Sequence, residues 1–594
     1  MSTTVLTAIL DRHQRRGERL MTILREAQEA LGWLSPETLS VVADAIGWPR
    51  VKVESTAGFY SFFHTRPMGQ YRVLFSDNFT DRMLGSQALM QALCKQLWLE
   101  PGRVSEDGLV SVDATSCTGM CDQGPAALVN YRAITRLTQA RIEQMGELIR
   151  NHAPLESWPE EWFQVKSQVY RRDRLLDHGL ASGDALKAAI ARGQDALLEE
   201  LKLSNLRGRG GAGFPAGKKW ESCRSTPSEE RVVVCNADEG EPGTFKDRIL
   251  LTDHPDLVFE GMTIAAYTIK ARRGFVYLRG EYRYLLETLE AVLARRREAG
   301  LLGNNILGQG FDFDIEIVHG AGAYICGERS ALVESLEGKP GRPRLRTWSL
   351  SVKGYQGLPT DVNNVETLAN ACLVAVHGGD WYREVGTAKS SGTKLVSVSG
   401  DCARPGVYEY PYGVSVAQIL ADCGAEDALA VQVSGASGTT LAQDEFDRVI
   451  SFEDVPCGGA LMVFNRHRDM LEMARHYSHF FAHESCGFCT PCRVGTAVNA
   501  KLMDKLAAGH GSPYDINELF KMHRLLQSAS HCGLGSTATN VIHDTLTKFY
   551  PAYQQRMQSL DYEPSFNLDR ALSQARQMTG RDDSGAHLSN TETP

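Results

Sequence analysis

The chain has 594 residues, 43% hydrophobic and 23% charged, a globular composition too long for one core, since single cores rarely grow past about 250–300 residues. Seventy-two acidic against 63 basic residues leave a net charge of −9, which argues against a nucleic-acid surface. No window approaches the roughly 18–20 unbroken apolar residues of a membrane helix, and Asp11 and Arg12 cut the N-terminal apolar run of a would-be signal peptide, so a cytoplasmic chain without membrane contact is expected.

Residues 1–65 are predicted helical, because Leu6, Ile9 and Leu10, then Leu20, Ile23 and Leu24, recur at helical spacing. Residues 66–150 alternate short apolar runs (YRVLF, GLVSVDA, AALVN) with helical stretches, the pattern of a small α/β unit. From 151 to 391 a weakly punctuated lead-in gives way to glycine-rich loops interleaved with RVVVCNA, GFVYLRGEY and FDFDIEIVHG, an α/β domain. Residues 392–467 are β-rich, with turns at ARPG and YPYG, and 468–555 turn helical around a group of cysteines. The remainder, 556–594, ends in MTGRDDSGAHLSNTETP, polar and small enough to predict disorder.

In a reducing compartment, 14 cysteines point to metal or redox work. Cys486, Cys489 and Cys492 form C-x2-C-x2-C in ESCGFCTPCRVG, and Cys532 of SASHCGLG follows forty residues on. Three thiolates at that step plus a remote fourth suit the corners of a [4Fe–4S] cube; structural zinc on the same cysteines is the competing occupant. Pro491, Gly487 and Gly533 shape the backbone so that thiolates turn inward and N–H groups approach the sulfurs.

In LRGRGGAGFPAGKKW, Gly208, Gly210, Gly211 and Gly213 leave a backbone bare enough to lie against a phosphate or a planar ring, with Arg209, Lys218 and Lys219 adding positive charge. It is neither a Walker loop nor a dinucleotide fingerprint. A glycine-rich stretch by itself is more often a flexible loop, but the interleaved cations, Phe214 and a helix-like continuation favour nucleotide binding. CNADEGEPGTFKDR follows the strand RVVV, where α/β folds hold ligands. Asn236 suits the imide edge of a ring, and Asp238, Glu239 and Glu241 suit ribose hydroxyls, a solvated acidic loop being the plainer alternative. In DFDIEIVHGAGAYICGERSALVES, a strand over 312–318 turns at Gly320 and Gly322 into a helix from about Gly327 past Ser335, whose free N–H groups offer an anion site. GLPTDVNNVETLAN sets Asn363 and Asn364 just before another helix, with amides for phosphate or ring contacts.

Together these stretches resemble the NADH-oxidising flavoprotein subunit of respiratory complex I over roughly residues 195–555, GAGAYICGERSAL and ESCGFCTPCRVG being the most specific pieces. Residues 1–150 resemble the thioredoxin-like small subunit of the same module, and their fusion is similar to the diaphorase subunits of soluble NAD-reducing [NiFe] hydrogenases. The equivalent subunits of NAD-dependent formate dehydrogenases or of complex I are the alternative, but those usually keep the two parts on separate chains.

The resemblance implies an α/β multidomain fold: an N-terminal helical bundle (1–65), a thioredoxin-like domain (66–150), an FMN- and NAD(H)-binding α/β domain (151–391), a β-grasp-like domain (392–467), a helical bundle around the [4Fe–4S] cluster (468–555) and a tail (556–594). It places Gly208, Arg209, Gly210, Gly211, Lys219, Asn236, Asp238, Glu239, Tyr324, Gly327, Glu328, Asn363 and Asn364 around FMN, NAD(H) near Phe214, and Glu241 on the dinucleotide. Hydride transfer then belongs to the flavin and needs no protein acid or base. Electrons leave singly through the cluster toward an iron–sulfur relay subunit of a hetero-oligomeric hydrogenase, its [NiFe] module beyond.

Two positions depart from the family. The small subunit holds a [2Fe–2S] cluster on C-x4-C and a later C-x3-C; here Cys117 and Cys121 keep the later pair, but Ser76 and Asp81 replace the first. Serine and aspartate are harder ligands that bind iron more weakly, so the N-terminal domain is expected to serve as structure and partner surface. Arg329 stands where the family carries an acidic residue, and its pairing with Glu328 or Glu334 is weighed against a role toward NADP(H).

Overall fold

The computed structural model describes residues 2–345, 347–558 and 568–582. Four helices open the chain, Ser2–Arg12, Leu20–Leu31, Pro36–Ile46 and Arg50–Ala57. Leu20, Ile23, Leu24 and Ala27 are fully buried, the inner stripe that the spacing predicts. Ser35 caps the third helix by accepting from the Thr38 amide at 3.1 Å, with Pro36 in its first turn and Gly47 closing it at φ 69°.

The next unit is a four-stranded sheet of β1 (Tyr71–Ser76), β2 (Val110–Thr115), β3 (Ala127–Val129) and β4 (Arg132–Ile134), in the order β2-β1-β3-β4. β1 runs parallel to β2 and antiparallel to β3. The short β5 (Val169–Arg171) leaves this unit and joins the edge of a later sheet, a pairing no sequence signal announced.

The central domain is built on β6 (Val232–Ala237), β7 (Arg273–Leu278), β8 (Asp314–His319) and β9 (Thr360–Asn364), all parallel, in the order β8-β7-β6-β9. β6 is nearly all buried because helices such as Pro255–Ile269 and Val365–His377 cover the sheet. From β6 the chain winds outward through β7 to β8, then returns to lay β9 on the other side of β6. The topological switch point therefore lies between β6 and β9, and at their carboxyl ends Asn236 stands in register with Asn364. The helix expected from Gly327 begins later: a 3₁₀ turn, Tyr324–Gly327, precedes the helix Arg329–Leu336 because Glu328 serves as its cap.

The insert contributes β10 (Thr393–Gly400), β11 (Gly406–Pro411), β12 (Ala428–Val433), β13 (Thr439–Ala442) and β14 (Ala460–Asn465), ordered β13-β12-β14-β10-β11-β5, around a core of its own. Helices Met470–Glu484, Thr490–Ala507, Pro513–Ala529 and Asn540–Lys548 form the C-terminal bundle. Within the tail, Leu568–Thr579 is helical and reaches only the first two residues of the stretch 578–594 expected to be disordered, of which 583–594 lie outside the described residues. Among the described residues no helix is long and apolar enough to cross a membrane.

Candidate active site

The glycine loop reaches the switch point as a closed turn. Gly208 N donates to Phe214 O at 2.9 Å and Arg207 bridges to Pro215, while Gly211 and Gly213 take φ of 110° and 63°. A Cβ on Gly210 would lie 3.3 Å from that of Asn364, and one on Gly213 would strike the Phe452 ring. The bare backbone thus lies between the end of β9 and the insert, with Phe214 about half exposed at its rim.

Several residues expected to surround a flavin are held by protein partners. Arg209 is fully buried; its guanidinium donates to the Tyr382 hydroxyl at 2.7 Å and Ser391 O at 2.8 Å, and lies 4.7 Å over the Tyr412 ring. It braces the loop from within. Asn236 Nδ2 donates to Gly327 O at 2.8 Å. Asn364 caps the helix Val365–His377 through the Glu366 amide at 3.0 Å and donates to Asp247 at 2.6 Å. Glu239 caps the helix Lys246–Asp253, accepting from the Asp247 and Arg248 amides at 2.8 and 3.1 Å and from Tyr282 Oη at 2.9 Å. Burial pushes its carboxyl up to about 7. Glu328 likewise accepts from the Ser330 and Ala331 amides at 2.9 Å, so two donors of the expected anion site are already occupied by this chain's own carboxylate.

Others keep open valences. Lys219 Nζ donates to Val362 O at 2.5 Å and lies 3.9 Å from Asp361, and burial lowers its ammonium to about 8. Asp238 Oδ2, Asp361 Oδ1 and Asn363 Oδ1 are buried acceptors with no hydrogen-bond donor. Such orphans are costly, and those on β9 and after β6 stand where hydroxyls and a ring N–H of a flavin would supply donors. The residues present fit FMN. Glu241 is held by Tyr324 Oη at 2.5 Å and by Ser437 N and Oγ at 2.9 Å, which ties the parallel-sheet domain to the insert. Arg329 is exposed, with no ion pair or hydrogen bond among the described residues, while Glu334 is taken by Arg344 and Lys339.

Two features escaped the sequence reading. Fully buried Glu366 gathers Lys394 at 2.5 Å, Lys246 at 3.0 Å and Arg209 at 4.0 Å under the site. One carboxylate in the first turn of an otherwise largely apolar helix was its only linear signal. Glu484, two residues before the cysteine motif, accepts from Ser116 Oγ at 2.5 Å and Tyr324 N at 3.0 Å, fastening three domains with one carboxylate.

Cys486, Cys489, Cys492 and Cys532 line one small cavity together with Ile325, Pro343, Phe488 and His531. Gly487 turns the chain at φ 73°, Cys489 caps the helix that Pro491 helps to start, and a Cβ on Gly535 would crowd that of Cys492 at 2.9 Å. A zinc ion would need its sulfurs about 2.3 Å from a single point. Four thiols around one common cavity, with three of them at a three-residue step, suit the corners of a [4Fe–4S] cluster. Ile325 on that cavity directly follows Tyr324 on Glu241, so one 3₁₀ turn separates the two sites.

In the N-terminal unit the fold does bring Ser76, Asp81, Cys117 and Cys121 together, but not as a ligand set. Ser76 Oγ donates to Asp81 Oδ2 at 2.8 Å, Ala126 N to Asp81 Oδ1 at 3.1 Å, and Asn78 Nδ2 to Cys121 Sγ at 3.1 Å. The space between the two loops is filled by this buried hydrogen-bonded group, which does not fit a [2Fe–2S] cluster.

Three family models match the chain: the Nuo51 FMN-binding domain over residues 201–372, the thioredoxin-like [2Fe-2S] ferredoxin over 6–150, and the NADH-ubiquinone oxidoreductase-F iron-sulfur binding region over 472–556. The alpha subunit of the NAD-reducing hydrogenase HoxS of Cupriavidus necator is 41% identical over 96% of this chain and 97% of its own. The chain belongs to this family of hydrogenase alpha subunits. A crystal structure of an NAD+-reducing [NiFe]-hydrogenase in the H2-reduced state contains a chain that is 42% identical, with a TM-score of 0.89, over 97% of this chain and 100% of that one. The mitochondrial NADH dehydrogenase (ubiquinone) flavoprotein 1 of Dictyostelium discoideum is 34% identical over 75% of this chain and 95% of its own. The FMN-binding match spans the glycine loop and the switch point, and the iron-sulfur match spans the four cysteines of the cavity. In the alpha-subunit family, this chain combines those regions with the ferredoxin-like part that lacks two thiols.

Proposed function

We propose that this chain is the cytoplasmic diaphorase subunit of a soluble NAD-reducing [NiFe] hydrogenase, exchanging electrons between NAD(H) and an iron–sulfur relay subunit. The observation that carries this reading is the single turn Tyr324–Gly327, which puts Tyr324 on Glu241 at the switch point and Ile325 on the four-cysteine cavity. When bound, FMN accepts a hydride as a two-electron unit and releases electrons singly, and the cluster accepts them one at a time.

This chain's residues bind and orient. The loop Gly208–Gly213 offers backbone to a planar ring, with Phe214 at its rim to stack on the nicotinamide. Asp238, Asp361 and Asn363 turn unsatisfied oxygens toward ligand donors. Lys219 faces the anionic end of the flavin, and Tyr324 and Ser437 orient Glu241 toward the ribose hydroxyls of the dinucleotide. Cys486, Cys489, Cys492 and Cys532 hold the cluster.

The test is Cys489→Ala in the complete complex. NADH should still bleach the flavin absorbance, because hydride transfer uses only the nucleotide site, while reduction of the natural acceptor collapses. Full acceptor turnover in a folded variant, or purified protein containing zinc and no flavin, overturns the reading.

A further inference from the structure

The place that a [2Fe–2S] cluster would take in the thioredoxin-like unit holds two thiols and no further sulfur ligand. Cys117 Sγ and Cys121 Sγ lie 3.6 Å apart, both buried. We propose that Cys117 and Cys121 form a redox-active dithiol that hydrogen peroxide oxidises to an intrachain disulfide.

Four observations support this. The sulfurs need to close only to the ~2.05 Å of a disulfide bond, and the loop between them carries Gly119 at φ 77°. The same loop is held in place from the parallel-sheet domain. Arg279 donates to Cys117 O at 2.6 Å, and Arg248 donates to Gly119 O at 3.1 Å and to Asp122 at 2.8 Å. Ser76 and Asp81 are bonded to each other, leaving neither thiol a competing ligand partner. Cys117 also lines a cavity of about 280 Å³ whose walls include Asp238, Arg279 and Tyr324, whereas Cys121 does not reach it.

The two sulfurs are unequal. Arg279, which donates to Cys117 O at 2.6 Å, sets a positive charge beside Cys117, and only Cys117 lines the cavity. Cys117, on the cavity wall, is thus the attacking group and Cys121, off it, the resolving one. The Cys117 thiolate attacks one peroxide oxygen, the O–O bond breaks, and a sulfenic acid and hydroxide form. Cys121 then loses its proton and its sulfur attacks the Cys117 sulfur, breaking the S–O bond and releasing water. The sum is two thiols and one peroxide giving one disulfide and two waters, and an external dithiol reverses it.

The experiment exposes the intact complex to a few equivalents of hydrogen peroxide, quenches it in acid, alkylates in denaturant and follows tryptic peptide 104–132, which contains both cysteines. The expected result is a non-alkylated peptide lighter by two hydrogens, converted by dithiothreitol into the doubly alkylated form. Cys121→Ser should instead leave a sulfenic acid on Cys117 that dimedone traps. Three outcomes overturn the proposal: full alkylation of both cysteines after peroxide, Cys117 ending as sulfinic acid in the wild type, or a [2Fe–2S] paramagnetic signal that Cys117→Ser abolishes.

Discussion

The Tyr324 hydroxyl donates to Glu241 Oε2 at 2.5 Å, so two residues 83 positions apart, expected on different ligands, act as one unit. Tyr324→Phe leaves Glu241 its two contacts with Ser437, one of them on Oε2 itself, but removes the donor that fixes its direction toward the dinucleotide. With Ser437 Oγ still on that oxygen, the loss is that of an ordinary hydrogen bond, roughly 1 kcal/mol, equivalent to about a fivefold change in affinity. The KM for NADH in dye reduction should rise by about that factor with kcat within about twofold. An unchanged KM removes Glu241 from the dinucleotide.

Glu366 sits fully buried among Lys246, Lys394 and Arg209. Glu366→Gln leaves Lys394 and Arg209 without their carboxylate and Lys246 with Asp247 alone, and breaking a buried pair in this way costs roughly 3–5 kcal/mol. Thermal denaturation should show a melting temperature lower by several degrees, with flavin content falling alongside, since the glycine loop rests on Arg209. An unchanged melting temperature would mean that the cluster is redundant.

Arg329 is exposed, and the partners weighed for it, Glu328 and Glu334, are engaged elsewhere. The guanidinium is free to meet the 2′-phosphate of NADP(H) where an acidic residue would repel it. A partly exposed pair of this kind contributes roughly 0.5–1.5 kcal/mol. Replacement Arg329→Glu should therefore lower the ratio of kcat/KM for NADPH over NADH by roughly threefold to tenfold or more. If steady-state kinetics give the same ratio in both proteins, Arg329 does not read the 2′ position.

Glu239 supplies a pH dependence. Burial, with Asp247 alongside, raises its carboxyl from 4.5 to about 7, so the fold favours the neutral acid. Its contribution is full below pH 4.5, falls as the pH rises toward 7, and is constant above that. The whole window corresponds to about 3 kcal/mol. Glu239→Gln has no such titration, so the melting temperature of the wild type relative to this variant should be more favourable near pH 5 than near pH 8. Equal differences at both values would assign the window to another group.

Most of what was legible in the linear order was local chemistry. Thiols at a three-residue step, glycines interleaved with cations, and polar residues at the end of an apolar strand each declare themselves through spacing, because neighbours in sequence remain neighbours in space. The four cysteines that share one cavity, the glycine loop, the Asn236 and Asn364 strand ends and the two missing thiols at Ser76 and Asp81 are all legible in this way.

The long-range pairings were not legible. Glu239 and Glu328 read as ligand-facing acids, yet each caps the helix beside it, because an unpaired carboxylate near free amide N–H groups satisfies them at once. Arg209 read as a phosphate contact, yet it is buried against Tyr382 and Glu366. Glu484 opens the ESCGFCTPCRVG stretch, but nothing in that spacing gives it a role, and only the packing of three domains supplies Ser116 and Tyr324 as its donors. A buried charge takes whichever opposite charge or donor the fold delivers, from any distance along the chain, and only the tertiary structure decides which one that is.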